Sequence, residues 1–158
     1  CVITGVPAGI GEPAFEKLDA ALAKAMFSIG AVKGFEIGSG MEAARSTGLQ
    51  NNDAYGITPQ GDIVKKTNHS GGITGGISDG CPIIFRAAFK PTPSIASPQE
   101  TINRQGEAIE VRIKGRHDPI IVPRAVVVVE SMAALVILDA MLGSMTTRLD
   151  KIKTFFEN

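Results

Sequence analysis

The fold is decided by residues 123–142, PRAVVVVESMAALVILDAML, a long apolar segment near the end of the chain. Its length approaches that of a membrane span, but Glu130 and Asp139 place two carboxylates inside it, which is costly in a bilayer. The segment therefore predicts a long helix that is buried on nearly all sides in the core of a soluble protein. The run Val126–Val129 is locally typical of a strand, so the sequence leaves the start of this helix open.

The composition of the 158 residues is that of one soluble domain or a large piece of one. A hydrophobic share of 44% and a charged share of 20% are enough for a packed core. Lys and Arg balance Asp and Glu at 16 each, and aromatic residues make up 5%, which argues against nucleic-acid and anionic-membrane partners. Two cysteines, Cys1 and Cys81, are too few for a disulfide scaffold. They are typical of a reducing compartment, and together with only two histidines they argue against a built-in transition-metal site.

The chain opens on a strand-like stretch, Cys1–Val6, without an initiating methionine and without the features of a secretion signal. Because folded chains seldom begin inside a strand, we expect this sequence to be part of a longer protein.

The periodicity of apolar residues predicts both helices and strands. A helix beginning at Pro13 is indicated by apolar residues spaced three and four apart, which would form one face. That face consists of Phe15, Leu18, Leu22, Ala25 and Ile29. The remaining predicted elements are strands over Val32–Ile37, Ile63–Thr67 and Pro82–Phe89, a short helix over Met41–Arg45, an exposed loop over residues 46–62, and a hairpin that joins Ile102 to Val111–Ile113 through Gly106. The expected fold class is α+β, with mainly antiparallel strands packed around helices.

A glycine-rich stretch, NHSGGITGGISDG over residues 68–80, is the first candidate site. Glycine lets the backbone adopt positive φ and lets a ligand approach the main chain. Exposed N–H groups in such a loop can hold an anion or the edge of a flavin. Asn68, His69 and Ser70 beside the glycines favour a site, and the alternative is a tight structural turn.

The second candidate site is FKPTPSI over residues 89–95, where two prolines stiffen the exit from a strand. Lys90, Thr92 and Ser94 offer alternating hydrogen-bond donors that suit a phosphate or a ring carbonyl. The alternative is an ordinary loop that ends the strand.

The third candidate site is GRHDP over residues 115–119, within a segment that has a local excess of positive charge. The basic residues are Arg112, Lys114, Arg116 and Arg124. From chemistry alone, His117 is the first general-base candidate, because an unperturbed imidazole titrates near neutrality. Asp118 is expected to be ionised beside this positive charge and available as a proton acceptor. The alternative is a solvated turn in which Asp118 caps the next helix.

One further pattern, GSGMEA over residues 38–43, matches the G-x-G-x-x-A fingerprint of dinucleotide-binding folds. A Rossmann site needs a second parallel strand with an acidic end, whereas a long polar loop follows here. We therefore expect no dinucleotide site at this position.

Taken together and in this order, four stretches resemble the C-terminal half of chorismate synthases. They are residues 5–40, 68–80, 89–95 and 114–142, the last of which includes RHDP and the P-R-A sequence ahead of the apolar helix. The resemblance covers nearly all of the chain and less than half of a full-length synthase. It implies that residues 1–158 are the C-terminal portion of a synthase domain whose N-terminal half is missing here, with residues 149–158 as a mobile or interface tail.

The resemblance implies an activity, a cofactor and partners. Chorismate synthases convert 5-enolpyruvylshikimate 3-phosphate to chorismate and phosphate by a 1,4-anti elimination that requires reduced FMN although no net redox change occurs. Their fold is a β-α-β sandwich with internal duplication, assembled as a homotetramer. The resemblance implies a cytoplasmic enzyme of the shikimate pathway. Reduced FMN would come from a flavin reductase or from NADPH-dependent reduction by the protein itself.

The resemblance also implies the residues of the site. Those expected to bind FMN are Gly30, Ala31, Gly75, Lys90, Pro91, Thr92, Pro93, Ser94 and Arg116. Arg116 is also expected at the substrate anion. Gly30 stands where Asn or Gln is more usual in the family, so a side-chain hydrogen bond is not implied there.

The resemblance changes the choice of catalytic residue. Asp118 corresponds to the carboxylate that helps flavin N5 remove the C6 proton, so it replaces His117 as the leading candidate. The two catalytic histidines of the family belong to the N-terminal half, which leaves His117 and His69 as secondary candidates. Several phosphate-binding arginines belong to that half as well.

Two other functions stay open from the sequence. One is a core and oligomerisation module without catalytic activity. The other is an FMN- or phosphate-binding module of a different pathway, which flavin titration of the full-length protein would distinguish from a synthase.

Overall fold

The structure, a computed structural model, describes residues 1–116 and 118–157. The strands are β1 (Val2–Ile3), β2 (Val32–Ile37), β3 (Tyr55–Ile57), β4 (Ile63–Lys65), β5 (Ile73–Thr74), β6 (Ile77–Ser78), β7 (Ile83–Phe89), β8 (Gln99–Ile102) and β9 (Ala108–Val111). The helices are α1 (Leu18–Ser28), α2 (Val122–Ser144) and α3 (Leu149–Phe156), with a 3-10 helix over Gly40–Arg45. All strand pairings among the described residues are antiparallel, which confirms the predicted α+β class.

A three-stranded sheet in the order β1–β7–β2 forms the centre of the fold. Within it, Ile83 of β7 pairs with Ile3, and Phe85 pairs with Ile37. Since side chains alternate between the two faces of a strand, Ile83 and Phe85 point to the same side, where both are almost completely buried. The Cys1 ammonium donates a hydrogen bond to the Phe85 carbonyl (2.9 Å) and continues the pairing beyond β1.

Helix α1 covers the buried face of this sheet. Leu18, Leu22 and Met26 are buried and form one cluster with Ile83 and Phe85. The prediction of an apolar face is confirmed for Leu18 and Leu22. The other two predicted members inside or next to the helix, Ala25 and Ile29, are partly buried against the same cluster.

The predicted start of α1 is wrong. Phe15 lies outside the helix, has a φ of 55° and is 98% exposed. The helix begins at Leu18 because the Leu18 N–H donates to the Gly76 carbonyl (2.9 Å), which anchors the first turn to the glycine-rich stretch. Residues 13–16 form bends instead of a helical turn, so Pro13 is not a first-turn residue.

Helix α2 includes the valine run, so the open question about its start is answered in favour of a helix. It packs against α1 through Ala133 and Ile137. The prediction of burial on nearly all sides is wrong, because Val127 and Leu135 are 65% and 60% exposed. Within the part of the chain that the structure describes, α2 is the one helix long and apolar enough to cross a membrane. Core helices of soluble proteins can be equally long and apolar.

The accessible surface is large for the mass of the chain. It amounts to 11311 Å² at 16.5 kDa, whereas a compact monomer of this mass exposes about 7,600 Å². Many of the exposed large apolar side chains belong to α2 and to two hairpins, β3–β4 and β8–β9. The fold therefore presents a broad apolar surface that its own residues do not cover.

The observed hairpins and strands agree in part with the predicted elements. The β8–β9 hairpin turns at Gly106, whose N–H donates to the Asn103 carbonyl (3.1 Å), as predicted. The predicted loop 46–62 contains β3, which pairs with β4. The strand predicted over Cys1–Val6 is restricted to β1, and residues 149–156 form α3. Whether residues 149–158 act as a mobile or interface tail stays a prediction.

Candidate functional site

The glycine-rich stretch folds into a tight hairpin. Strands β5 and β6 pair through Thr74 and Ile77, and the two residues between them, Gly75 and Gly76, have φ of 63° and 87°. Two consecutive positive φ values are typical of a two-residue hairpin turn, which favours glycine at both positions. Among residues 1–116 and 118–157, no atom beyond Gly75 and its two chain neighbours lies within 4 Å of the position that a Cβ on Gly75 would occupy. The tip of the hairpin is therefore open to a ligand.

The dinucleotide-like pattern packs against this stretch. The Ser39 N–H donates to the His69 carbonyl (2.8 Å), and the Gly38 N–H donates to the Ile84 carbonyl (2.8 Å). A Cβ on Gly38 would clash with the backbone of His69 and Gly71. The glycine at this position thus allows two backbone segments to approach each other closely.

A buried group of three charges lies beside the glycine-rich stretch, and we name Asp53, Lys65 and Asp79 the Lys65 cluster. The Lys65 Nζ is 2.5 Å from Asp79 Oδ2 and 3.9 Å from Asp53 Oδ2. The exposed fractions of the three side chains are 8% for Asp53, 6% for Lys65 and 12% for Asp79. Charges this deeply buried persist only when paired and hydrogen-bonded.

Asp53 holds the beginning of the glycine-rich stretch. Its carboxylate accepts hydrogen bonds from the backbone N–H groups of His69 (2.7 Å) and Ser70 (3.0 Å). It also accepts from the hydroxyls of Ser70 (2.7 Å) and Thr67 (2.8 Å). Burial by itself would raise the pKa of Asp53, but these hydrogen bonds outweigh it and hold that pKa well below its usual range.

Lys65 and Asp79 stabilise each other's charged forms. Burial would lower the pKa of Lys65, but its hydrogen bond to Asp79 and the nearby negative charge raise that pKa instead. Burial would raise the pKa of Asp79, but the hydrogen bond from Lys65 and the Cys81 N–H lower it. All three members of the cluster are therefore charged at neutral pH.

The acid stability of the protein tests this arrangement. Because the pKa of Asp53 is lower in the folded than in the unfolded protein, its stabilising contribution is complete above the unfolded pKa and is lost as the pH falls below it. We expect the melting temperature to decrease as the pH is lowered from about 4 to about 2, and we expect this decrease to be smaller in Asp53→Asn. Asp62→Asn, at an exposed carboxylate next to β4, is the control. Equal acid slopes for Asp53→Asn and the unsubstituted protein would contradict the prediction.

The second candidate site meets Gly30–Ala31 just beyond the C-terminal end of α1. The Lys90 N–H donates to the Ala31 carbonyl (2.9 Å), which joins Gly30–Ala31 to the start of the loop at residues 90–94. Ala31 has a φ of 72°, which is strained for a residue with a Cβ. The Thr92 Oγ1 is buried and has no hydrogen-bond partner among the residues that the structure describes. Strain and an unpaired buried hydroxyl are both typical of ligand sites.

Relieving the strain at Ala31 is expected to stabilise the protein. Ala31→Gly should raise the free energy of unfolding by up to about 1 kcal/mol, because glycine adopts positive φ without steric cost. The matched control is Ala20→Gly at an exposed position in α1, which should lower it by about 1 kcal/mol. Urea unfolding measures both variants. A loss of stability in both would show that the Ala31 conformation carries no strain.

The last predicted segment precedes α2. Asp118 Oδ2 accepts a hydrogen bond from Arg124 Nη1 at 2.7 Å, so Asp118 is ion-paired with the first turn of α2. The N-cap of α2 is Ile121, without a side-chain cap, so the alternative in which Asp118 caps this helix is wrong. Arg116 is exposed. His117 lies outside the described residues.

The structure brings some of the predicted site residues together and leaves others apart. Gly30, Ala31 and Lys90 lie at the C-terminal end of α1, with Pro91, Thr92, Pro93 and Ser94 directly following along the chain. Gly75 lies near the N-terminal end of α1, and 11 helical residues span about 16 Å. Arg116 and Asp118 precede α2. The site residues thus form separate parts around α1 and α2.

The sequence analysis missed the Lys65 cluster. Its members are separated by 12 or more positions and lie on three different segments, so no local motif joins them. The one available signal was a set of charges beside a stretch rich in Gly, Ser and Thr. Within residues 1–116 and 118–157, no group of three or more His, Cys, Asp or Glu side chains is arranged to hold a metal ion.

One groove in the described part of the chain does not contain the predicted site. It lies between α1 and α2, has a volume of about 570 Å³ and is lined by Glu16, Lys24 and Asp139 among others. None of the predicted site residues lines it. The groove belongs to the uncovered surface along α2.

Comparisons with known proteins cover almost the whole chain. The family model for chorismate synthase matches residues 1–142. A chorismate synthase of Lachnoclostridium phytofermentans is 64% identical over 157 residues, which are 99% of this chain and 43% of that protein. One of Methanosarcina barkeri is 58% identical over 144 residues, which are 90% of this chain and 39% of that protein.

A solved structure agrees with these sequence comparisons. A crystal structure of chorismate synthase matches with a TM-score of 0.69 and 35% identity, over 98% of this chain and 39% of that chain. This match confirms the expected fold. The chain spans about two fifths of the length of the curated relatives that it matches. By its sequence and its fold, the chain belongs to the chorismate synthase family.

Proposed function

We propose that this chain is the C-terminal part of a chorismate synthase that converts 5-enolpyruvylshikimate 3-phosphate to chorismate and phosphate with reduced FMN. The observation that carries the proposal is the 64% identity to a chorismate synthase over 99% of the chain. The matched region covers 157 of the 158 residues and therefore includes the candidate site segments, so the proposal extends to their roles. The proposed enzyme is a lyase of the shikimate pathway.

The chain's own residues fit a flavin phosphate or ring carbonyl. The buried Thr92 hydroxyl, which has no partner in the described part of the chain, can donate to a ligand. Lys90 is exposed, and its backbone is held by the bond to Ala31, so its ammonium is free to reach an anion. The space in front of Gly75 is open for a planar group. Pro91 and Pro93 stiffen the loop, so Thr92 and Ser94 are positioned before the ligand arrives.

The proposed roles of Arg116 and Asp118 follow from the charges of their side chains. Arg116 is exposed and can hold an anionic group through its planar fork of donors. Asp118, oriented by Arg124, supplies the carboxylate that takes part in removing the proton. Reduced FMN, when bound, supplies the electron density that weakens the C–O bond to the leaving phosphate. Cationic side chains stabilise the phosphate as it departs.

Arg116→Ala is expected to weaken both flavin and substrate binding in the full-length protein. The substitution removes a bidentate donor from a site built around two anions, and Arg116→Lys should rescue it poorly because an ammonium lacks the fork. FMN titration and the substrate KM measure the two effects. Arg148→Ala is the control, because that arginine pairs with Asp150 beyond the residues that the family model matches. Unchanged FMN affinity together with an unchanged KM would rule out the role.

The direct test uses the full-length protein under anaerobic conditions. Chemically reduced FMN and 5-enolpyruvylshikimate 3-phosphate are supplied, and chorismate and phosphate are measured. We expect equal amounts of both products, and none when FMN is left oxidised. Absence of chorismate from folded, FMN-loaded protein would overturn the proposed function.

We extend the proposal to the oligomeric state of the enzyme, its location and its source of reduced FMN. The uncovered apolar surface supports a homo-oligomer, for which the family implies a tetramer. The proposed location is the cytoplasm, and the proposed source of reduced FMN is a flavin reductase or the protein's own use of NADPH. The second candidate function is a non-catalytic module for FMN binding, phosphate binding or oligomerisation, and the same surface favours oligomerisation. FMN binding without chorismate formation in the full-length protein would support that candidate.

A further inference from the structure

Lys65 lies outside the glycine-rich stretch but contacts it on both sides. Its Nζ is 3.3 Å from the Ser70 Oγ at the beginning of the stretch. It is also 3.3 Å from the Thr74 Oγ1 in β5 and 2.5 Å from the Asp79 Oδ2 after β6. One buried ammonium therefore connects both ends of the hairpin whose tip is Gly75.

Asp79 closes the base of the same hairpin. Its Oδ2 accepts a hydrogen bond from the Thr74 hydroxyl (3.1 Å), and its Oδ1 accepts one from the Cys81 N–H (3.0 Å). Its own N–H donates to the Gly72 carbonyl (3.1 Å). The carboxylate can make these bonds in a buried position because Lys65 neutralises it.

Asp53 completes the arrangement from the opposite side. Lys65 lies between Asp53, which holds the backbone at residues 69–70, and Asp79, which holds the hairpin base. Without the ammonium, two carboxylates would share a pocket in which each is about nine-tenths buried. Uncompensated like charges in such a site repel strongly, so the two ends of the glycine-rich stretch would separate.

We propose that Lys65 is a positioning residue for flavin binding. It acts through the glycine-rich stretch by holding Ser70, Thr74 and Asp79 in one arrangement, and this sets where the open tip at Gly75 meets the cofactor. The proposal rests on the proposed function, because that function supplies the flavin. Lys65 itself need not touch FMN, substrate or any reacting atom.

The test is FMN titration of full-length Lys65→Met by flavin fluorescence. We expect FMN to bind at least about tenfold more weakly, since breaking a buried ion pair disturbs everything it holds. At saturating FMN, kcat should stay within about threefold of the unsubstituted value, because a positioning residue acts on cofactor affinity. Lys66→Met, an exposed lysine directly after β4, is the matched control and should bind FMN normally.

A second substitution separates positioning from general loss of structure. Adding Asp79→Asn to Lys65→Met removes one of the two opposed charges, so FMN affinity should recover several-fold relative to the single variant. If Lys65→Met does not fold, Thr74→Val replaces it, because this exposed threonine loses two hydrogen bonds at nearly constant shape. Thr74→Val should weaken FMN about threefold.

The outcomes are distinct. Folded Lys65→Met with normal FMN affinity overturns the inference, as does an absence of recovery in the double variant. If Lys65→Met does not fold, normal FMN affinity in Thr74→Val overturns it equally. An unsubstituted full-length protein that binds no FMN at all contradicts the proposed function itself, which the other outcomes leave intact.

Discussion

Asp118→Ala is expected to lower turnover of the full-length protein by about 10²–10⁴-fold while FMN still binds. Loss of a general acid or base has this size because the proton must then move without a positioned acceptor. The structure places Asp118 Oδ2 2.7 Å from Arg124 Nη1, a hydrogen bond that fixes the direction of the carboxylate. FMN affinity should change little, since Asp118→Ala keeps Arg116 and the other residues proposed to bind FMN lie on other segments.

Two comparisons make the Asp118 prediction specific. Asp150→Ala also removes a surface carboxylate from an arginine pair, with a distance of 2.8 Å to Arg148, and should leave turnover unchanged. Arg124→Ala removes the ion-pair partner of Asp118 but leaves its carboxylate in place. This substitution should therefore lower turnover less than Asp118→Ala does. Near-normal turnover of Asp118→Ala at saturating FMN and substrate would refute the proposed role.

The second large effect concerns the 158-residue chain prepared by itself, which is expected to show no measurable chorismate synthase activity. The resemblance assigns both catalytic histidines and most phosphate-binding arginines to the remainder of a full-length synthase. Removing a whole set of preorganised groups removes the electrostatic stabilisation on which loss of phosphate depends. The assay with chemically reduced FMN checks this directly. Turnover comparable with that of a full-length synthase would show that the catalytic groups are misassigned.

The same preparation should fold in part and self-associate. The cluster around Leu22, Met26 and Phe85 is buried within the chain, so a core exists without further residues. The accessible surface of 11311 Å² nevertheless exceeds the roughly 7,600 Å² of a compact monomer, and exposed apolar patches of this kind favour association. Sedimentation velocity would reveal the association. A strictly monomeric species at micromolar concentration would contradict it.

The sequence predicted the elements whose apolar residues repeat with a clear period. Strand β2 agrees with its predicted bounds, and β7 differs by one residue at its start. The hairpin around Gly106 also formed as predicted, because turn and strand signals lie within a few residues of each other. Phe15 was misplaced because the periodic pattern continued past the point where a tertiary bond to Gly76 starts the helix.

The burial of α2 shows a different limit of sequence reasoning. An apolar composition predicts that a helix is buried, but it does not identify the segments that pack against it. In this chain α1 covers one side, and residues such as Val127 and Leu135 stay exposed. Composition was therefore a good guide to the helix and a poor guide to its surroundings.

By itself, the sequence determined the family, the α+β class and the segments expected to form the site, because these depend on local patterns and on ordered motifs. Only the tertiary structure showed that Lys90 bonds to Ala31, that Asp118 pairs with Arg124, and that the Lys65 cluster lies beneath the glycine-rich stretch. The physical reason is the path of the chain. Burial and pairing of charges depend on which distant segments the turns bring together, and no local period encodes that convergence.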